Sequence, residues 1–247
     1  MDINNKVRDL IKSKKYFVSL KKKINKNYWS KKKDPDGLRR DRLKNFETEK
    51  KIFFKNNKSL LKIIRSLKFN NVCDVGCGPG YLISKINCKN IYGIENDPQA
   101  VKIASKFGKI YKLDLNKKIT KKKKFDLVIC YHVIEHVKNP INLINSIKRI
   151  LKKKGILILG TPDFDSAMAR LFKNKYRLLH DKTHISLFSL DSLTRLIRDK
   201  GFEINSIDFP YFETEYFNKK DILRVFSKKK ISPPFYGSFI TLVCQKK

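Results

Sequence analysis

From residue 45 onward, apolar positions fall first at helical spacing and then in short, dense runs. Phe46, Ile52, Phe53, Leu60, Leu61, Ile63, Ile64 and Leu67 recur at intervals that predict a long helical stretch. Beyond it the pattern switches. Apolar runs at 72–75, 91–94, 110–113, 125–130 and 156–159 predict five strands. Helical segments stand between them: one beginning over 81–86, one at 99–107 opened by Pro98, and one from Pro140. The last places Ile141, Ile144, Ile147, Ile150 and Leu151 on one face and is expected to end at Gly155. The run 125–130 is too continuous for a sheet with one face in water. Such alternation gives an α/β fold, a parallel sheet with helices on both faces. Residues 161–188 interrupt the rhythm as an irregular insert. Ser189 then caps a helix over 190–200 with Gly201 at its end, and strands at 203–209 and 239–244 bring the count to seven. A short helix is expected near 220–226.

Residues 1–44 form a separate, weakly periodic and basic arm ahead of a domain spanning 45–247. Two readings compete for it: a flexible tail, or a helical lid whose aromatics (Tyr16, Phe17, Tyr28, Trp29) close over a site. The aromatics and the turn at Asp34-Pro35-Asp36-Gly37 favour order from about Tyr16 on. A chain of 247 residues with 41% hydrophobic positions can bury a sizeable core, which excludes wholesale disorder. No apolar run approaches the length needed to span a bilayer, and the start, Met1-Asp2-Ile3-Asn4-Asn5-Lys6, lacks the apolar core of a signal peptide. The sequence therefore reads as a cytoplasmic protein.

The formal net charge of +34 would ordinarily suggest nucleic acid or an anionic surface. Here 46 of the 57 basic residues are Lys, Asn and Ile are abundant, and Ala occurs four times. A drift towards A/T-rich codons yields that bias without any partner. A solvated, lysine-rich surface is the simpler reading, and only the basic stretch 6–33 keeps a claim to partner binding. The five cysteines (Cys73, Cys77, Cys88, Cys130, Cys244) are odd in number and contain no C-x-x-C pair, which speaks against a disulfide framework and a thiolate zinc site.

The segment Val72-Cys73-Asp74-Val75-Gly76-Cys77-Gly78-Pro79-Gly80-Tyr81 carries the strongest chemical signal. Glycines after a strand and before a helix let backbone N–H groups approach a ligand with no Cβ in the way. Glu95, with Asn96 beside it, closes the second strand 19 residues beyond Gly76, where a carboxylate can accept both ribose hydroxyls. Tyr81 stands where a dinucleotide fingerprint has its third glycine, so NAD is disfavoured. With Asp74 ahead of the glycines, the pattern resembles the first motif of class I S-adenosylmethionine (SAM)-dependent methyltransferases.

The resemblance continues along the chain. Asp114-Leu115 is similar to the family's adenine-contacting pair, and Phe125-Asp126-Leu127-Val128-Ile129-Cys130-Tyr131 to its fourth strand. Leu151-Lys152-Lys153-Lys154-Gly155-Ile156 is similar to the entry of its fifth. The resemblance implies a seven-stranded Rossmann-like sheet whose last strand is antiparallel. It also implies SAM as cofactor, contacted by Asp74, Gly76, Cys77, Gly78, Gly80, Glu95, Asn96, Asp114, Leu115 and Tyr131.

All four histidines fall in two places, His132 and His136 after the fourth strand and His180 and His184 in the insert. His132, His136 and His184 are the candidate catalytic groups, since an acceptor hydroxyl has to lose a proton as it takes the methyl. Glu135-His136-Val137 and Thr183-His184 resemble the ubiquinone-biosynthesis O-methyltransferases. In that subgroup a Glu-x-x-Glu-His cluster is associated with a divalent metal. Here it stands as His132-x-x-Glu135-His136, and on that departure no metal is expected. The alternative is a helix-start Glu135 beside a packed His136.

Arg177, His180 and His184 on the insert are candidates for holding a hydroxylated or anionic acceptor, or else cap a core-facing loop. Gly160-Thr161-Pro162-Asp163, the insert and Ser232-Pro233-Pro234-Phe235 together resemble bacterial methyltransferases linked to surface-polysaccharide assembly. The Pro-Pro pair also matches an amine-methyltransferase motif, but it precedes the last strand instead of following the fourth and reads as a loop breaker. The leading expectation is O-methylation of a small molecule or sugar. An RNA methyltransferase, which would need a basic surface beside the pocket, is the alternative. A non-enzymatic relative is the third reading, against which the intact cofactor motifs speak.

Overall fold

The computed structural model describes residues 3–21, 43, 45–120, 123–210, 223–227, 231–233, 235 and 237–247. Tyr28, Trp29, the turn at 34–37 and residues 220–222 of the helix expected near 220–226 lie outside them. At the start, α1 (Ile3–Arg8) runs into a 3-10 turn (Asp9–Lys12), followed by β1 (Val18–Ser19). After α2 (Phe46–Asn56) and α3 (Lys58–Ser66), strands and helices alternate: β2 (Asn71–Val75), β3 (Asn90–Glu95), α4 (Pro98–Ala104), β4 (Lys109–Lys112), β5 (Phe125–Tyr131), α5 (Pro140–Ile150) and β6 (Leu151–Pro162). The insert holds α6 (Ala167–Phe172) and β7 (Ser186–Leu187). Then come α7 (Leu190–Asp199), β8 (Phe202–Asp208) and β9 (Phe239–Lys246).

The main sheet has seven strands in the order β4-β3-β2-β5-β6-β9-β8. β2 to β6 pair in parallel, and β9 runs antiparallel to both neighbours. The continuity of 125–130 is explained by burial on both faces. Leu127 and Ile129 meet Leu60 and Ile64 of α3, while Val128 and Cys130 meet Ile144 and Ile147 of α5 together with Leu196 of α7. Chain order reverses between β2 and β5. Their carboxyl ends therefore flank the crevice where open α/β sheets take ligands.

Several boundaries differ from the sequence reading for identifiable reasons. The helix expected over 81–86 is a single 3-10 turn at Ile83–Lys85, because the chain must reverse by Asn90 to enter β3. α5 stops at Ile150, not Gly155: Leu151 already pairs with Phe125, and exposed Lys152–Lys154 bulge out with Lys154 at φ 59° before Ile156 pairs with Leu127. Lysines suit a helix as well as a solvated bulge, so the pattern could not separate the two.

Order begins at Ile3, well ahead of Tyr16. Val7 and Leu10 bury against Phe164, Met168, Phe172 and Leu187, which makes the first turns and the insert one satellite core. β1 pairs with β7, Arg195 of α7 donates to the carbonyls of Leu10 and Lys15, and Tyr16 donates to Asp199. Two-residue strands have no period to read.

Candidate functional site

The glycine turn forms because three successive reversals are needed at the end of β2. Gly76, Gly78 and Gly80 have φ of 76°, 54° and 89°, values that suit glycine. At Gly76 a Cβ would lie 2.4 Å from a Val133 methyl, so the turn after β2 presses directly on the loop after β5. At Gly80 a Cβ would lie 3.0 Å from the Ala104 backbone, where the turn packs on α4. Gly76 and Cys77 both donate their backbone N–H to Ile94 O, tying the turn to β3. Cys77 is buried beneath it, with Sγ towards Gly93.

Glu95 sits at the end of β3 against this turn. One carboxylate oxygen accepts from Gly78 N at 2.9 Å, the other from Asn96 N and Asp97 N. Asp74 is 5% exposed, and burial, then the charge of Glu95, push its carboxyl up to about 7. A cationic partner would favour the ionised form of such a buried carboxyl. Asp114 closes a turn by accepting from Asn116 N, and Leu115 packs on the main core. Tyr131 lays its ring over Gly160, with its hydroxyl 3.3 Å from Thr241 Oγ1, on the β6–β9 side of the crevice.

Across the crevice, β5 ends in a kink. His132 adopts φ 56°, uncommon for a side chain with a Cβ, and its N–H donates to Gly160 O. A 3-10 turn follows (Ile134–His136) and drives Glu135 inward until it is 0% exposed. Three imidazoles surround that carboxylate. His132 Nδ1 is 3.5 Å and His136 Nε2 3.9 Å from Oε1, and a ring nitrogen of His184 lies within 4.8 Å of the Glu135 and His136 donors. Thr161 donates to Oε2 at 3.0 Å, and His132 Nδ1 is the imidazole nitrogen nearest Oε1. Burial raises the Glu135 carboxyl, but the side-chain hydrogen bond from His132, then the charge of the facing His136, outweigh it and hold it down at about 2.

The tautomers follow from the neighbours. His136 Nδ1 faces Thr183 O at 3.1 Å and His184 Nδ1 faces Leu178 O at 2.6 Å. A carbonyl only accepts, so both Nδ1 atoms carry a proton. Burial and then His136 lower the His184 imidazole to about 4, so it is neutral at physiological pH. Two imidazoles oriented by carbonyls beside a buried carboxylate are a donor set that fits a divalent cation. The third donor, His184, reaches the cluster from the insert, some fifty residues along the chain, and no local motif contains it.

The structure thus unites His132, Glu135, His136 and His184. His180 stays apart, exposed, with Nε2 on Asn174 O. Arg177 is half-buried, and its backbone N–H donates to Ser232 Oγ while Ser232 N donates to Lys175 O. Ser232 and Pro233 therefore dock the 231–233 segment on the insert; Pro234 lies outside the described residues. Thr161, Thr183 and Thr241, which the sequence reading gave no site role, supply the polar partners of Glu135, His136 and Tyr131. Buried threonine near a strand end carries no motif that would have singled it out.

A family described as "Methyltransferase domain" matches residues 32–207. The chain belongs to it. An uncharacterised protein of Methanocaldococcus jannaschii is 31% identical over 207 residues, covering 80% of this chain and 77% of that one. A ubiquinone biosynthesis O-methyltransferase of Pelagibacter ubique is 30% identical over 152 residues, 56% of this chain and 61% of its own length. Among solved structures, a SAM-dependent methyltransferase of Thermotoga maritima superposes with a TM-score of 0.59 at 22% identity, covering 83% and 98% of the two chains. The magnesium protoporphyrin IX methyltransferase of Synechocystis, solved with bound S-adenosylhomocysteine, gives 0.57 at 17%, covering 81% and 87%. These two share the fold. The methyltransferase described here is an enzyme with a Rossmann-like sheet, and SAM is its cofactor. Among its described residues no helix is long and apolar enough to cross a membrane.

Proposed function

We propose that this methyltransferase moves the methyl group of SAM to a hydroxyl oxygen of a small acceptor, sugars included. The observation that carries the reading is the His132–Glu135 pair at the carboxyl end of β5, facing the glycine turn across the switch point. SAM would lie along that turn. Its ammonium would meet Asp74, the turn's backbone would pack against its methionine part, Glu95 and Asn96 would take the ribose, and Asp114 and Leu115 the adenine.

SAM brings an already activated methyl, so the protein mainly aligns a nucleophile for in-line displacement and removes its proton. His132 is the most exposed imidazole of the cluster, at 36% against 22% for His136 and 8% for His184. Its Nδ1 turns to Glu135, which leaves Nε2 to accept the hydroxyl proton. Glu135 orients that ring and stabilises the imidazolium. A divalent ion on Glu135, His136 and His184 would supply Lewis acidity that makes a nearby hydroxyl easier to ionise. Arg177 and His180 stand on the insert, where an acceptor would approach. Similarity to ubiquinone-biosynthesis O-methyltransferases supports oxygen as the acceptor atom.

The test has two stages. Calorimetry measures SAM binding, and radiolabelled SAM is then supplied with size-fractionated extract. Label in the small-molecule fraction is expected. His132→Gln should lower kcat by about 10²–10⁴-fold with SAM affinity unchanged. Label in RNA, or full turnover by His132→Gln, would overturn the reading.

A further inference from the structure

We propose that the N-terminal segment 3–20 is a strap that positions the loop after β5 for methyl transfer, acting through Ile185, whose two backbone groups join Leu20 to Glu135. The proposal rests on the roles given above to His132 and Glu135. Ile185 is buried. Its N–H donates to Glu135 O at 2.9 Å, and its carbonyl accepts from Leu20 N at 2.8 Å. The next residues extend the join. Ser186 and Leu187 of β7 pair with Ser19 and Val18 of β1, and Ser186 Oγ donates to Val137 O at 2.8 Å. The strap thus meets the loop at Glu135 and, two residues on, at Val137.

The loop needs such support. His132 lies in the left-handed region at φ 56°, a conformation that persists only where its surroundings over-determine it. The turn after it is three residues long (Ile134–His136). Two sides grip this stretch. On one, His132 N–H donates to Gly160 O and Thr161 donates to Glu135 Oε2, both partners belonging to β6. The other side is the insert at 185–186. Its strand β7 is two residues long and finds its partner in β1, from the far end of the chain.

The strap is anchored away from the loop. Asn4 Nδ2 donates to Ala169 O of α6, Arg195 of α7 donates to the carbonyls of Leu10 and Lys15, and Tyr16 donates to Asp199. These ties fix where β1 lies. Ile185 hands that position on to Glu135, and Glu135 orients the His132 ring. Leu20 and Ile185 act through other residues and are positioning residues. Both links run through the backbone, so no side-chain motif marks them.

The experiment uses the full chain, saturating radiolabelled SAM and the small-molecule fraction of extract. Leu20→Pro removes the N–H that holds Ile185 O and suits an extended edge position; Leu20→Ala keeps that N–H and trims the side chain. Calorimetry should give both variants wild-type SAM affinity. Transfer should fall about tenfold to a hundredfold in Leu20→Pro and stay near wild type in Leu20→Ala. Amide exchange at Ile185 should quicken in Leu20→Pro alone. If Leu20→Pro no longer binds SAM, Ser186→Ala, which removes the hydroxyl on Val137 O, takes its place and should lose transfer with SAM affinity intact. Wild-type transfer by the strap variant, equal loss in Leu20→Ala, or unchanged exchange at Ile185 would each overturn the proposal. His132→Gln, assayed alongside, separates the two readings. Full turnover there defeats the assignment of His132, whereas its loss beside wild-type turnover in Leu20→Pro defeats the strap alone.

Discussion

Asp74 is the residue on which sequence and physics converge most closely. A carboxyl raised to about 7 from an ordinary 3.8 keeps a proton in the folded state that the unfolded chain releases between those values. Its contribution to stability without ligand therefore declines as pH rises from about 4 to 7 and is flat above. A cationic ligand reverses the preference by favouring the carboxylate. SAM affinity should thus rise roughly tenfold from pH 6 to pH 8, with proton release visible by calorimetry in buffers of different ionisation enthalpy. Asp74→Asn should flatten that dependence and weaken binding about tenfold to a hundredfold; a pH-independent wild type would defeat the argument. Gly76 makes a separate point. Gly76→Ala should cost about 1–3 kcal/mol in chemical denaturation, since it adds both a left-handed strain and a clash with Val133. Val133→Ala should recover the clash part alone. Asp74, the glycines and Glu95 were legible in the sequence because spacing from one strand end determines all of them. The surroundings of Glu135 were not, because they depend on side chains from β6 and the insert.

Among the elements, β2 to β5 and α7 were readable to within a residue or two. Their apolar runs and the Ser189 cap, whose side chain accepts from Ser192 N, are local signals. The insert and α1 were not, since each buries its apolar face only against the other. Val7 and Leu10 reach Phe164 and Met168 across more than 150 residues of chain, and no periodicity encodes that. This dependence predicts a divided stability. Leu10→Ala should cost about 2–5 kcal/mol within the satellite core. Faster amide exchange should be confined to 3–19 and 161–188, with β2, β5 and β6 as protected as before. Uniform loss of protection would mean that the two cores fold as one.

For the molecule as a whole, sheet order turns an ordinary strand–helix alternation into a site, because the reversal between β2 and β5 sets the glycine turn opposite His132. Among the described residues, one cluster of lysines stands at the other end of the sheet. Lys124, Lys148, Lys152, Lys153, Lys154 and Lys246 gather at the amino ends of β5 and β6, where Lys246 Nζ donates to Lys148 O and Leu151 O. That is the edge of the sheet opposite the glycine turn and the imidazoles. A polyanion attracted there would sit a strand's length from the methyl donor, whereas an RNA methyltransferase needs its basic surface beside the pocket. RNA binding by the full chain should therefore be electrostatic and remote. Its affinity should fall steeply between low and physiological salt. Lys152→Glu with Lys153→Glu should weaken it several-fold while SAM binding and transfer to the small-molecule fraction hold. If those two changes instead abolish methyl transfer, the basic edge serves catalysis and the small-acceptor reading fails.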